Sequence, residues 1–142
     1  MLVACNAEGA LRSPPMTHVR IVPATGAEVL AGSTRLKAGT ATKLVLNTLT
    51  TASMTRLGRV YGNRMVDLQP RSAKLRARAL RLVADLGGVS RGRARAALKA
   101  SRGRVRVAIV MAKSGGNAIE ASRALAAAGG SLRMALQKPR RK

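Results

Sequence analysis

Apolar and polar positions change their period several times along this chain. Met1–Cys5 is a continuous apolar run suited to a short buried strand. His18–Val22 alternates, is β-branched and stops at Pro23, which predicts a second short strand. Between them Asn6–Thr17 contains Gly9, Pro14 and Pro15 and reads as loop. The pattern then turns helical, with a long helix expected from Ser33 or Thr34 to Leu57 and Gly58 as its stop. Its first turns carry Arg35, Lys37 and Lys43, whereas Leu44–Thr55 has no charge at all. A helix uncharged on every side is expected to be buried nearly all round. Two short strands and some short helices are too little to cover it, so the pattern calls for a partner, a dimer mate or a further domain.

Tyr61–Gln69 reads as a turn and extended connector around Gly62-Asn63, and Pro70 or Ser72 opens a second helix to about Leu86. Its apolar stripe is Leu75, Ala79, Leu82, Val83 and Leu86, and Gly87-Gly88 ends it. Beyond lies an internal repeat. Ser90 and Asn117 are 27 residues apart, and the same offset pairs Ala97 with Ala124, Leu98 with Leu125, Gly103 with Gly130, Val105 with Leu132, Ala108 with Ala135 and Ile109 with Leu136. Each unit reads as N-cap, amphipathic helix, glycine, short helix. Lys138–Lys142 is a basic tail.

Composition alters this picture in two ways. Tyr61 is the sole aromatic residue, so the core must be helical packing of small and aliphatic side chains. The 142 residues carry 27 Lys plus Arg against 5 Asp plus Glu, a formal net charge of +22. Such an excess attracts polyanions non-specifically. It fits either a non-catalytic nucleic-acid binder or loss of acids from a more balanced ancestor; the base-stacking aromatics of most nucleic-acid modules are missing. Cys5 is the only cysteine and His18 the only histidine, which leaves no disulfide framework and no cysteine zinc cluster. Neither a secretion signal nor a run of transmembrane length is evident, and a cytoplasmic protein is expected.

Candidate chemistry concentrates in Gly26–Lys43, GAEVLAGSTRLKAGTATK. Glycines, hydroxyl residues and cations ahead of a helix have the makings of an anion site, because amides at a helix start lack intrahelical partners. The same run also reads as a Gly32 turn with Ser33 or Thr34 as N-cap and cations that are merely solvated.

The longer segment from Gly26 to Val83 resembles the N-acetylmuramic acid 6-phosphate etherases and, more distantly, the glucokinase regulatory protein, which are sugar-phosphate-binding proteins of the sugar isomerase (SIS) class. Weaker likeness reaches from Leu2 to Leu136. The resemblance implies an α/β remnant, two short strands plus long helices, over residues 1–86 as the C-terminal part of a SIS domain. It implies a small all-α, ubiquitin-associated-like (UBA-like) helical subdomain over 87–137, followed by the tail 138–142. The activity it implies is lyase-type cleavage of a lactyl ether. A proton next to the ether carbon is removed, lactate leaves, and water adds back to give N-acetylglucosamine 6-phosphate and D-lactate. The family's catalytic glutamates fall upstream of the matching segment, so no catalytic residue is assigned here and the chain alone is expected to be inactive. Glu28, Ser33, Thr34, Arg35, Lys37 and Thr40 match motif positions expected to border the sugar-phosphate pocket; Glu28 would bond a sugar hydroxyl or amide, or simply serve as an anion at a helix start. Asn63 and Lys74 match too, facing either the pocket or a dimer interface. Neither metal nor organic cofactor is implied. The expected partners are a sugar phosphate and either a second copy or a complementing N-terminal half. A regulatory sugar-phosphate sensor is a further alternative. Arg64 and Lys113 depart from the family pattern by placing charge at positions expected to be apolar.

Overall fold

The computed structural model describes Met1–Asn6, Glu8, Arg12 and residues 18–137. Most of the expected loop before His18, and the basic tail, lie outside the described residues. Among them are six helices and four two-residue strands, in two compact units, Met1–Ser53 and Met54–Lys142.

In the first unit β1 (Leu2–Val3) pairs in parallel with β2 (Arg20–Ile21), Leu2 opposite Arg20 and Val3 opposite Ile21. The amides of Leu2 and Ala4 donate to the carbonyls of Val19 (2.8 Å) and Ile21 (3.1 Å). Helix α1 spans Lys37–Arg56, so it begins a few residues later than the hydroxyl pair suggests. Gly32–Leu36 instead forms tight turns, with Thr34 N bonded to Gly32 O and Leu36 N to Ser33 O. The helix stops as expected at Gly58, whose φ of 68° is a conformation glycine adopts without a Cβ penalty. There Gly58 N reaches Thr55 O and Arg59 N reaches Met54 O, the paired bonds of a Schellman closure.

The expectation that α1 would be buried nearly all round is corrected. None of its residues is buried, and Leu44 is 61% and Leu46 47% exposed. The physical reason is that the described residues offer too little apolar surface to wrap the uncharged stretch Leu44–Thr55.

In the second unit β3 (Val60–Tyr61) and β4 (Arg64–Met65) form an antiparallel hairpin across Gly62-Asn63. Helix α2 spans Ala73–Gly87, capped by Ser72, whose Oγ accepts from Leu75 N, and closed by Gly88 at φ 65°. Then come α3 (Arg91–Ala100), α4 (Val105–Ser114), α5 (Ala118–Ala127) and α6 (Leu132–Gln137). Both N-caps of the repeat form. Ser90 Oγ accepts from Arg93 N, and Asn117 makes a capping box with Glu120. The helix boundaries themselves repeat at the 27-residue offset, Arg91–Ala100 onto Ala118–Ala127.

Helix α4 is the centre of this unit. Val105, Val107, Ala108, Ile109 and Val110 are buried, and α4 packs on α2, α3, α5 and α6. Alanines at the contacts (Ala79, Ala94, Ala121, Ala135) let helices approach closely without aromatic filler. A Cβ on Gly87 would stand 2.6 Å from Ala112 Cβ, so that glycine sets the spacing of α2 against α4. Full burial of Ile109, Leu132, Val66 and Val83 contributes roughly 1.5–3 kcal/mol each. Helix α2 packs on α3 and α4 within this unit.

Candidate functional site

The segment before α1 is organised by Glu28. Its carboxylate accepts from the amides of Lys37 (2.9 Å, Oε2) and Ala38 (3.0 Å, Oε1). Hydrogen bonds from Ala38 and then Lys37 hold the Glu28 carboxyl below its usual pKa, with a smaller contribution from the Lys37 charge. Lys37 Nζ in turn donates to Ala27 O at 2.7 Å, which ties the loop to the helix start. The next two amides are also engaged, Gly39 N with Thr34 O and Thr40 N with Leu36 O. The helix-start amides that the sequence offers to an anion are therefore occupied by the chain itself, and Glu28 acts as the helix-start anion.

What remains outward is side chains. Thr34, Arg35, Lys37 and Thr40 are exposed and Ser33 is half-buried. Lys37 and Thr40 border a shallow depression of about 510 Å³ with Thr25, Leu36, Ala41 and Leu44. Glu28, Ser33, Thr34 and Arg35 are not part of its lining. Cys5 Sγ lies 3.4 Å from Ala38 O and 3.5 Å from Thr42 Oγ1, so the thiol packs the end of β1 onto α1. Among the described residues no cluster of His, Cys, Asp and Glu is placed to hold a metal ion, and no helix is long and apolar enough to cross a membrane.

The second unit holds a larger cleft, about 700 Å³, between the connector Asp67–Arg71, the α3–α4 turn and α5. Asp67 sits at its edge and pairs with Arg59 (2.8 Å) and Arg106 (3.0 Å); Arg106 also donates to Gly130 O at 2.7 Å. Arg71, Arg102 and Arg104 line the same cleft. Nothing local in the sequence pattern marks these arginines. They are far apart in the chain and meet only when the helices pack.

No family model matches the chain. Curated relatives do match. The N-acetylmuramic acid 6-phosphate etherase of Synechocystis sp. is 46% identical over 136 residues, covering 96% of this chain and 44% of that protein. That of Gloeobacter violaceus is 51% identical over 125 residues, covering 88% and 41%. That of Mycolicibacterium smegmatis is 47% identical over 134 residues, covering 94% and 44%. The chain belongs to the N-acetylmuramic acid 6-phosphate etherase family. It spans about two-fifths of the length of these relatives.

The two charged side chains at positions expected to be apolar both reach water. Arg64 pairs with Asp85 at 2.8 Å with 43% of its side chain exposed, and Lys113 is exposed near the end of α4. Neither buries an unpaired charge. Asn63, at the tip of the β3–β4 turn, and Lys74, in the first turn of α2, are exposed as well.

Proposed function

We propose that this chain forms the C-terminal part of an N-acetylmuramic acid 6-phosphate etherase and provides one wall of its sugar-phosphate site. The observation that carries the reading is identity of 46% sustained over 136 residues, nearly the whole chain. In this reading residues 1–86 are the last part of a SIS domain, 87–137 are a UBA-like helical subdomain, and the protein works in the cytoplasm. Arg35 and Lys37 offset phosphate charge, while Ser33, Thr34 and Thr40 donate hydrogen bonds. Glu28 holds the loop that presents them.

The catalytic glutamates belong to the portion of the family sequence outside the match, so the chain completes a site and does not form one alone. The uncovered α1 and the isolated two-strand parallel pair support this reading. Parallel strands are normally covered on both faces, and two such strands are not a stable sheet by themselves. A second copy or an N-terminal half would cover Leu44 and Leu46.

The test is release of D-lactate from N-acetylmuramic acid 6-phosphate. The purified chain alone is expected to release none. Mixing it with the unmatched portion of the Gloeobacter violaceus etherase is expected to restore release, and Lys37→Ala is expected to weaken the effect of mixing. Release by the chain alone would overturn its incompleteness. Failure of the mixture, together with no binding of the sugar phosphate, would overturn the etherase reading.

A further inference from the structure

We propose that the cleft of the second unit is an anion-binding site, for a phosphate monoester with an uncharged, largely apolar body. This inference does not rest on the etherase reading.

Three observations converge on it. First, the cleft gathers Arg71, Arg102, Arg104 and Arg106 around the single carboxylate of Asp67. That carboxylate is already matched by Arg59 and Arg106. Arg71 and Arg102 are exposed, and their guanidinium groups make no hydrogen bond or ion pair among the described residues. Two unspent guanidinium groups suit a doubly charged oxyanion, because their planar forks bond its oxygens in pairs.

Second, the backbone of Arg102 is held at φ 54°, the only positive φ outside glycine among the described residues. The repeat supplies its own control. One offset on, the equivalent position is Gly129 at φ 59°. The turn thus asks for glycine, and the first repeat carries an arginine there instead. Strained residues of this kind cluster at sites of function.

Third, Ser122 lines the same cleft, and its Oγ is buried with no hydrogen-bond partner in the chain. A buried hydroxyl left unpaired is costly unless a ligand or an ordered water satisfies it. Leu68, Leu125 and Ala126 add apolar wall, and about 700 Å³ exceeds what a bare phosphate ion fills. Hence the monoester with a body.

The experiment titrates the full chain with phenyl phosphate, inorganic phosphate and acetate at constant ionic strength, following backbone amides by NMR and the melting temperature. Phenyl phosphate is expected to saturate shifts at Arg71, Arg102–Arg106 and Ser122, more tightly than inorganic phosphate and far more tightly than acetate. Arg102→Gly is expected to weaken it roughly tenfold, the loss of about one charge-assisted hydrogen bond, while melting no lower than the parent because strain is relieved. Ser122→Ala is expected to weaken it too, without loss of stability. Shifts spread over all surface arginines without saturation would overturn the proposal. So would unchanged affinity in both variants, equal binding of acetate, or saturation of the cleft by a DNA duplex in preference to the monoester.

Discussion

Arg106 and Asp67 meet at 3.0 Å, and through this pair the connector after β4 is bound to the first turn of α4. Arg106 also reaches Gly130 O, so one side chain joins three stretches of chain. Asp67→Asn should lower stability by about 1–2 kcal/mol, because two partly exposed charge-assisted bonds weaken together. Urea unfolding would measure this. A loss no larger than that of Asp85→Asn, whose pair with Arg64 is more exposed, would show that the Asp67 network adds nothing.

Glu28 makes a pH-dependent prediction. Its folded-state pKa is depressed by the two amides it accepts from. A depressed carboxylate pKa gives stability that is fully present above the unfolded value and is lost as pH falls through the folded one. The amide resonances of Lys37 and Ala38 should therefore titrate together, with a midpoint below the ordinary glutamate value of 4.5. Glu28→Gln should abolish that titration and fray the start of α1. A midpoint at or above the ordinary value would contradict the assignment.

Two glycines in neighbouring helices should respond in opposite directions to alanine. Gly87→Ala forces a methyl to within 2.6 Å of Ala112 Cβ and should cost about 1–3 kcal/mol. Gly92 is exposed in α3, with only Ser90 Oγ nearby at 3.9 Å, so Gly92→Ala should stabilise by about 0.5–1 kcal/mol. Thermal melts of the two variants on opposite sides of the parent are the expected result.

The capping box at Asn117 is testable in the same way. Asn117→Ala removes acceptors for Ile119 N and Glu120 N and should cost about 1 kcal/mol. Ser90→Ala, which loses one longer bond of 3.4 Å to Arg93, should cost less. Equal losses would mean that the second bond and the returning Glu120 contribute nothing.

What the sequence disclosed was whatever is decided locally. Ser72, Ser90 and Asn117 announce helix starts because a side-chain oxygen bonds an amide two or three residues on, and glycines at 58, 88, 103 and 130 announce turns because φ is positive there. Helix α1 starts later than Ser33 or Thr34 suggests because Glu28, nine residues before Lys37, supplies the cap in their place. The arginine cleft was invisible because Arg71 and Ser122 are brought together only by packing on α4. One local sign was available, an arginine in the first repeat where the second has Gly129, and it gains meaning only once φ is known.

The difference between the two repeated helix pairs also bears on how the second unit comes apart. Among the described residues helix α6 carries only two buried side chains, Leu132 and Ala135, where its counterpart α4 carries five. A helix anchored by so few buried side chains has little cohesion of its own, so transient opening should begin at this end and stop at α4. Leu132, fully buried, is then the latch whose release exposes α5 while the rest of the unit stays closed.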